Sequence, residues 1–244
     1  MSHLFDGIAE SAQTTFLPTT YAAFVALQLA RHLGSPGDAH AYLGLCESYP
    51  TVVLAAAARR MARGGKKSVA DFKHELQQSP FDRPGATTAV VGIRICRRQV
   101  GYVVMNNGMV LESGKRELGT NKDGAVRSAA GFVGAECELW RNLPIAILDD
   151  EPDDGTHREA VRRAVLSVLR DEALSIWEVG IPKLFEAFSF PSARFYLDVR
   201  RVAYQIFESL ADPELAVPVL LDAAIPALYV DVARQLMPDE EGGT

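Results

Sequence analysis

Between Thr88 and Leu118 the chain reads TAVVGIRICRRQVGYVVMNNGMVLESGKREL. This stretch limits the fold more than any other. Its runs of Val, Ile and Tyr predict strands at 88–96, 99–106 and 108–117. Asn106-Asn107-Gly108 is a strong hairpin signal between the last two, because a two-residue turn needs positive φ at its centre. Three strands joined this tightly can only form an antiparallel meander. Arg94 stands in the middle of the first strand, among Val91, Gly92, Ile93 and Ile95. A charge inside a buried strand is costly unless something pairs it. The alternative is an edge position facing water.

Beyond the meander the period changes. KDGAVRSAAGFVGAECELWRN predicts a helix from near Asp123, and PIAILD (144–149) a short strand that ends in acids. THREAVRRAVLSVLRDEA is an amphipathic helix, LSIWEVGI a strand and IPKLFEAF a short helix. ARFYLDVRRVAYQIFESL and PELAVPVLLDAAIPALYVDVARQLM are helices that end the chain. The order β-β-β-α-β-α-β-α-α-α predicts an α/β, ribonuclease H-like mixed sheet, with three antiparallel strands followed by αβαβα. Actin-like ATPases begin the same way, but no second glycine-rich phosphate loop is found.

Ahead of the strands, TYAAFVALQLARHL, DAHAYLGLCES, TVVLAAAARRMARGG and SVADFKHELQQ read as four short helices. Asp38 is placed to cap the second, and Ser68 with Asp71 to frame the first turn of the fourth. The expected organisation is a helical N-terminal unit over 1–80, a linker over 81–88, the α/β domain over 89–237 and a disordered tail over 238–244.

Composition narrows the function classes. Of 244 residues 48% are apolar, and mean hydropathy is +0.03. Runs such as Thr51–Ala58 are too short to span a bilayer. The N-terminus lacks the basic-then-apolar pattern of a signal peptide. Cys46, Cys96 and Cys137 are odd in number and widely spaced, which suits reduced thiols. A cytoplasmic protein without membrane contact is expected. The histidines show no metal spacing, and no P-loop, dinucleotide fingerprint or serine-nucleophile motif occurs.

Net charge is −6, which argues against bulk coating of nucleic acid. Residues 1–86 hold 8 basic and 7 acidic side chains, and the remainder 17 and 24 (25 − 8 and 31 − 7). Arg59, Arg60, Arg63, Lys66 and Lys67 cluster without an acid among them. They are either a solvated helix end or a phosphate-contacting patch. Arg158, Arg162 and Arg163 read as surface residues of one helix, and Trp140 and Trp177 as core or interface.

VGIRICRRQVGYVVM (91–105) resembles the first two strands of the RuvC family of Holliday-junction resolvases, which read Gly-Ile-Asp-Pro-Gly-Ser and then Thr-Gly-Tyr-Gly-Val-Ile. Gly92-Ile93 and Gly101-Tyr102 fit at the same spacing. IAILDD resembles the family's fourth strand, IWEVGIPKLFEAF its fifth strand and following turn, and LLDAAIPALYVDVA its last helix. The likeness spans residues 88 to 237.

The resemblance implies carboxylates from the first strand, the fourth strand and the last helix, holding two divalent metals roughly 4 Å apart for phosphodiester cleavage. The first-strand position falls at Arg94. The fourth-strand position falls at Asp149 or Asp150. The last-helix pair falls at Asp222 and Ile225. A cation and an aliphatic side chain therefore stand where ligands belong. The expectation is a degenerate site of Arg94, Asp149, Asp150 and Asp222, in which Arg94 pairs with the carboxylates and no cofactor is held. The implied function is that of a pseudo-nuclease with a nucleic-acid or protein partner, and the family's dimers imply a homodimer through the helix near Trp140. One alternative is an active Mg2+- or Mn2+-dependent nuclease with relocated acids such as Asp198 or Asp231. Another is a protein-interaction module without nucleic-acid binding.

Overall fold

The computed structural model describes residues 16–65, 68–78, 89–149, 157–172, 174–190, 196–208 and 217–236. The expected linker, the expected tail, Asp150, Lys66 and Lys67 lie outside the described residues, as does the side chain of Arg63.

The four N-terminal helices are α1 (Tyr21–His32), α2 (Ala39–Ser48), α3 (Thr51–Arg63) and α4 (Val69–Gln78). Thr20 starts α1, its Oγ1 accepting from the Ala23 amide at 3.1 Å. At α4 the Ser68 hydroxyl accepts from the Asp71 amide at 3.1 Å, and the Asp71 carboxylate accepts from the Ser68 amide at 3.4 Å, a capping box. Asp38 does not cap α2. It ends a 3-10 turn with φ −88° and ψ 6°, without the extended backbone a capping side chain needs.

The sheet comprises β1 (Val90–Ile95), β2 (Gln99–Asn106), β3 (Met109–Glu117), β4 (Ile145–Asp149) and β5 (Ile176–Gly180), in the order β3-β2-β1-β4-β5. β1, β2 and β3 are antiparallel, and β4 and β5 continue parallel to β1. Asn107 and Gly108 turn the β2–β3 hairpin with φ of 50° and 76°. Among the described residues there follow α5 (Lys122–Glu136), α6 (His157–Asp171), α7 (Ile181–Ala187), α8 (Tyr196–Glu208) and α9 (Pro218–Leu236). Helix α5 begins one residue before Asp123, because Asn121 accepts from the amides of Asp123 and Gly124. A mixed five-stranded sheet of this order, with helices on both faces and a helical N-terminal unit, is the ribonuclease H-like fold.

Side-chain alternation along each strand divides the interior into two layers. Val91, Ile93 and Ile95 of β1, with Ile145 and Ile147 of β4, pack under α5 and α6. Val90 of β1, with Ala146 and Leu148 of β4, packs under α9. Helix α9 is buried almost all round, between the sheet and the N-terminal helices. Glycines let it come close. A Cβ on Gly92 would lie 1.9 Å from the Ala223 carbonyl oxygen, and one on Gly101 3.1 Å from Val219. The Gly92 and Gly101 of the motif are the floor on which α9 lies.

Candidate functional site

Arg94 is the fifth residue of β1 and shares its parity with Val90 and Gly92, so its side chain faces α9. Across the ladder it pairs with Gly101, which leaves its stem without a cross-strand side chain on the β2 side. Asp222 comes down from the second turn of α9 and is 1% exposed. The two meet as an ion pair, Arg94 Nε to Asp222 Oδ2, at 3.4 Å. Arg94 is thus a buried cation with a carboxylate partner and not an edge residue in water.

A third member comes from α8. Arg200 Nε donates to Asp222 Oδ1 at 2.5 Å, and its Nη2 donates to Oδ2. This is the two-point guanidinium fork on a carboxylate, the strongest common side-chain pairing. The hydrogen bond to Asp222 raises the Arg200 pKa above its ordinary value, against the opposite pull of burial and of Arg94. The Arg200 guanidinium also lies 5.3 Å from the Tyr196 ring centre, within cation–π range. Arg200 carried no mark in the sequence reading. The available clue was its place at the border of the apolar stripe Val199, Val202, Ala203 and Ile206. Cys96 adjoins the cluster; burial pushes its thiol pKa up and Arg94 draws it back.

Asp149 does not join this cluster. On β4 it shares parity with Ile145 and Ile147, so it faces α6, the side of the sheet opposite to Arg94. There Arg162 of α6 donates to Asp149 at 3.0 Å and to Glu178 of β5 at 2.5 Å. Arg158 donates from Nε to the Ile95 carbonyl at 3.2 Å. Arg158 and Arg162 are therefore half-buried struts and not free surface residues, while Arg163 is exposed and holds Glu159 at 3.2 Å. Ile225, on α9 with Asp222, is wholly buried in the core.

The described residues do not form a two-metal centre. Both Asp222 oxygens are engaged by guanidinium groups, and Arg94 adds positive charge where a divalent cation would need negative ligands. No group of three or more His, Cys, Asp and Glu side chains placed to hold a metal ion occurs among the described residues. Asp231 stands nine residues beyond Asp222, about 13.5 Å along the helix at 1.5 Å per residue. It accepts from the Gly108 amide at 3.1 Å and from Gln235 at 3.1 Å, under the β2–β3 hairpin. Asp198 lies in the first turn of α8, half-buried.

Of the basic cluster on α3, Arg60 is drawn onto α4, with Nε 3.5 Å from Glu75 Oε2. Trp140 is a core residue, 1% exposed, its ring edge-on to Tyr102 at 4.9 Å.

No family model matches the chain, and no curated protein matches it. Among solved structures it is similar to RuvC of Thermus thermophilus, at 16% identity and a TM-score of 0.49, over 61% of this chain and 96% of that one. It is also similar to T. thermophilus RuvC in complex with Holliday junction substrate, at 18% identity and a TM-score of 0.49, over 60% of this chain and 95% of that one. The fold assignment rests on the strand order and layer arrangement described above.

Proposed function

We propose that this protein is a non-catalytic, RuvC-like ribonuclease H-fold protein, a pseudo-nuclease that associates with nucleic acid or scaffolds an assembly. The observation that carries the reading is the Arg94–Asp222–Arg200 cluster. Phosphodiester hydrolysis by this fold calls for convergent carboxylates that hold divalent metal. Here Asp222 is held by a two-point fork from Arg200 and an ion pair from Arg94. The carboxylate that resembles a ligand thus serves as the counter-charge that lets two guanidinium groups sit at the C-terminal end of the central strand.

The test is direct. Protein incubated with Mg2+ or Mn2+ and a four-way junction, duplex or single strand leaves each substrate intact. Metal-dependent cutting that disappears in Asp222→Asn or Asp149→Asn would establish the active-nuclease reading instead.

A protein-interaction role has one observation in its favour. Leu197, Arg201 and Tyr204 form an exposed stripe on α8 at spacings of four and three residues, with Leu197 63% and Tyr204 40% exposed. That spacing suits contact with a partner helix or groove. Absence of binding to any nucleic acid at low salt would favour this reading.

A further inference from the structure

The cations at one end of the sheet are divided unevenly between its two sides. β1 ends, β2 begins and β3 ends at the same edge. The β1–β2 turn carries Arg97 and Arg98, both exposed. The strand register places Val100 beside Arg116 and Gly101 beside Lys115, and both of those cations are exposed on β3. The Leu118 amide donates to the Arg98 carbonyl at 2.7 Å, which fixes the turn against the end of β3. None of the four has a carboxylate partner among the described residues, whereas Arg60, Arg162, Arg163 and Arg200 are all paired. Glu117, at the same edge, accepts a hydrogen bond from Gln99.

Lys115 and Arg116 alternate along β3, so the exposed cations straddle the two faces at this end of the sheet, while Arg94 stays buried beneath α9 on the Lys115 face. Arg94, Gly101 and Lys115 are successive neighbours across β1, β2 and β3, so they share one face. Two inter-strand steps of roughly 5 Å separate the Arg94 and Lys115 backbones, a span of about three nucleotide repeats at roughly 3.4 Å each along a duplex strand. On the other side of β1 the described cations are paired, Arg162 with Asp149 and Glu178 and Arg170 with Glu178. β4 ends in Asp149, and in sequence the chain continues through Asp150, Glu151, Asp153 and Asp154. Among the described residues, unpaired cations at this end of the sheet lie on the β3 side.

We infer that the edge formed by Arg97, Arg98, Lys115 and Arg116 is a phosphate-backbone contact surface for nucleic acid, running across β1, β2 and β3. This rests on the nucleic-acid-associated reading above and gives it a location the sequence did not suggest. The expected partner chemistry is a phosphodiester backbone, because the four side chains supply cations on an open edge.

The experiment measures binding of the full chain to fluorescent duplex, single-stranded and four-way DNA as salt is varied. Arg97→Gln/Arg98→Gln/Lys115→Gln/Arg116→Gln removes the edge charges. Lys73→Gln/Arg141→Gln/Arg163→Gln/Lys183→Gln removes the same charge from exposed sites on other elements. Circular dichroism establishes that both variants fold. The edge variant is expected to lower the slope of log K against log salt by about 3, close to 0.7–0.9 per lost phosphate contact, and to weaken low-salt binding more than tenfold. The control variant is expected to change the slope by less than about 1. Equal losses in the two variants would reduce the effect to bulk charge and overturn the inference. Wild-type binding unaffected by the edge substitutions would overturn the inference while leaving the nucleic-acid reading intact. Wild-type protein that binds none of the probes at low salt would overturn both.

Discussion

At the scale of single residues, the cluster on Asp222 behaves differently from a simple pair. Breaking a buried ion pair from one side costs about 3–5 kcal/mol, because an uncompensated charge stays behind. Here Asp222 has two guanidinium partners, so either one shields it when the other is lost. Arg94→Ala and Arg200→Ala are each expected to cost only about 1–2 kcal/mol, near the centre of ordinary substitutions. The double variant leaves a carboxylate that is 1% exposed without a cation. It is expected to cost about 1–3 kcal/mol more than the sum of the singles, as groups in one network do. Urea denaturation of the four proteins measures this. Strict additivity would mean that the two arginines do not share Asp222.

At the scale of elements, the β2–β3 hairpin is tied to α9 by a buried acid. Asp231 is 2% exposed, and burial raises its pKa to about 6, against the hydrogen bonds that favour its charge. An unfolded aspartate titrates near 3.9. The native state therefore prefers the protonated form, and the stabilisation is full below about pH 4 and lost as pH rises through about 6. Asp231→Asn keeps an acceptor for the Gly108 amide and removes the charge. The stability difference between wild type and this variant should shift by about 2–3 kcal/mol in the variant's favour between pH 4 and pH 7. Denaturation at a series of pH values measures it, and a flat difference would show that folding leaves the Asp231 carboxyl unshifted.

The same elements show what could be read in advance. The three strands, the NNG turn and the order of the later helices and strands were legible, because period and turn chemistry are local. The facing of side chains was not. β1 and β4 are apolar on both sides, so nothing in the sequence says that Arg94 and Asp149 have opposite parity and lie on opposite faces of the sheet. The Gly92 and Gly101 spacing was visible as a motif, but its physical cause, the approach of α9, depends on a helix more than a hundred residues away. Arg200 was missed for the same reason, since its meaning comes from α9 and not from its own helix.

At the scale of the whole molecule, a continuous apolar layer joins the N-terminal helices to α9 and the sheet, and a second lies beneath α5 and α6. Each layer holds one of the two tryptophans. Trp140 is enclosed in the second beside Tyr102, while Trp177, on β5, is half-buried against the first. The protein thus carries a built-in optical reporter for each side of its sheet. Trp177→Phe should leave short-wavelength emission that resists acrylamide quenching, and Trp140→Phe should leave redder emission that is readily quenched. If the two layers melt as one cooperative unit, the single-tryptophan proteins will each follow the same denaturation curve as their own far-ultraviolet circular dichroism. Separated fluorescence and dichroism curves within either variant would reveal that one side of the sheet lets go before the other.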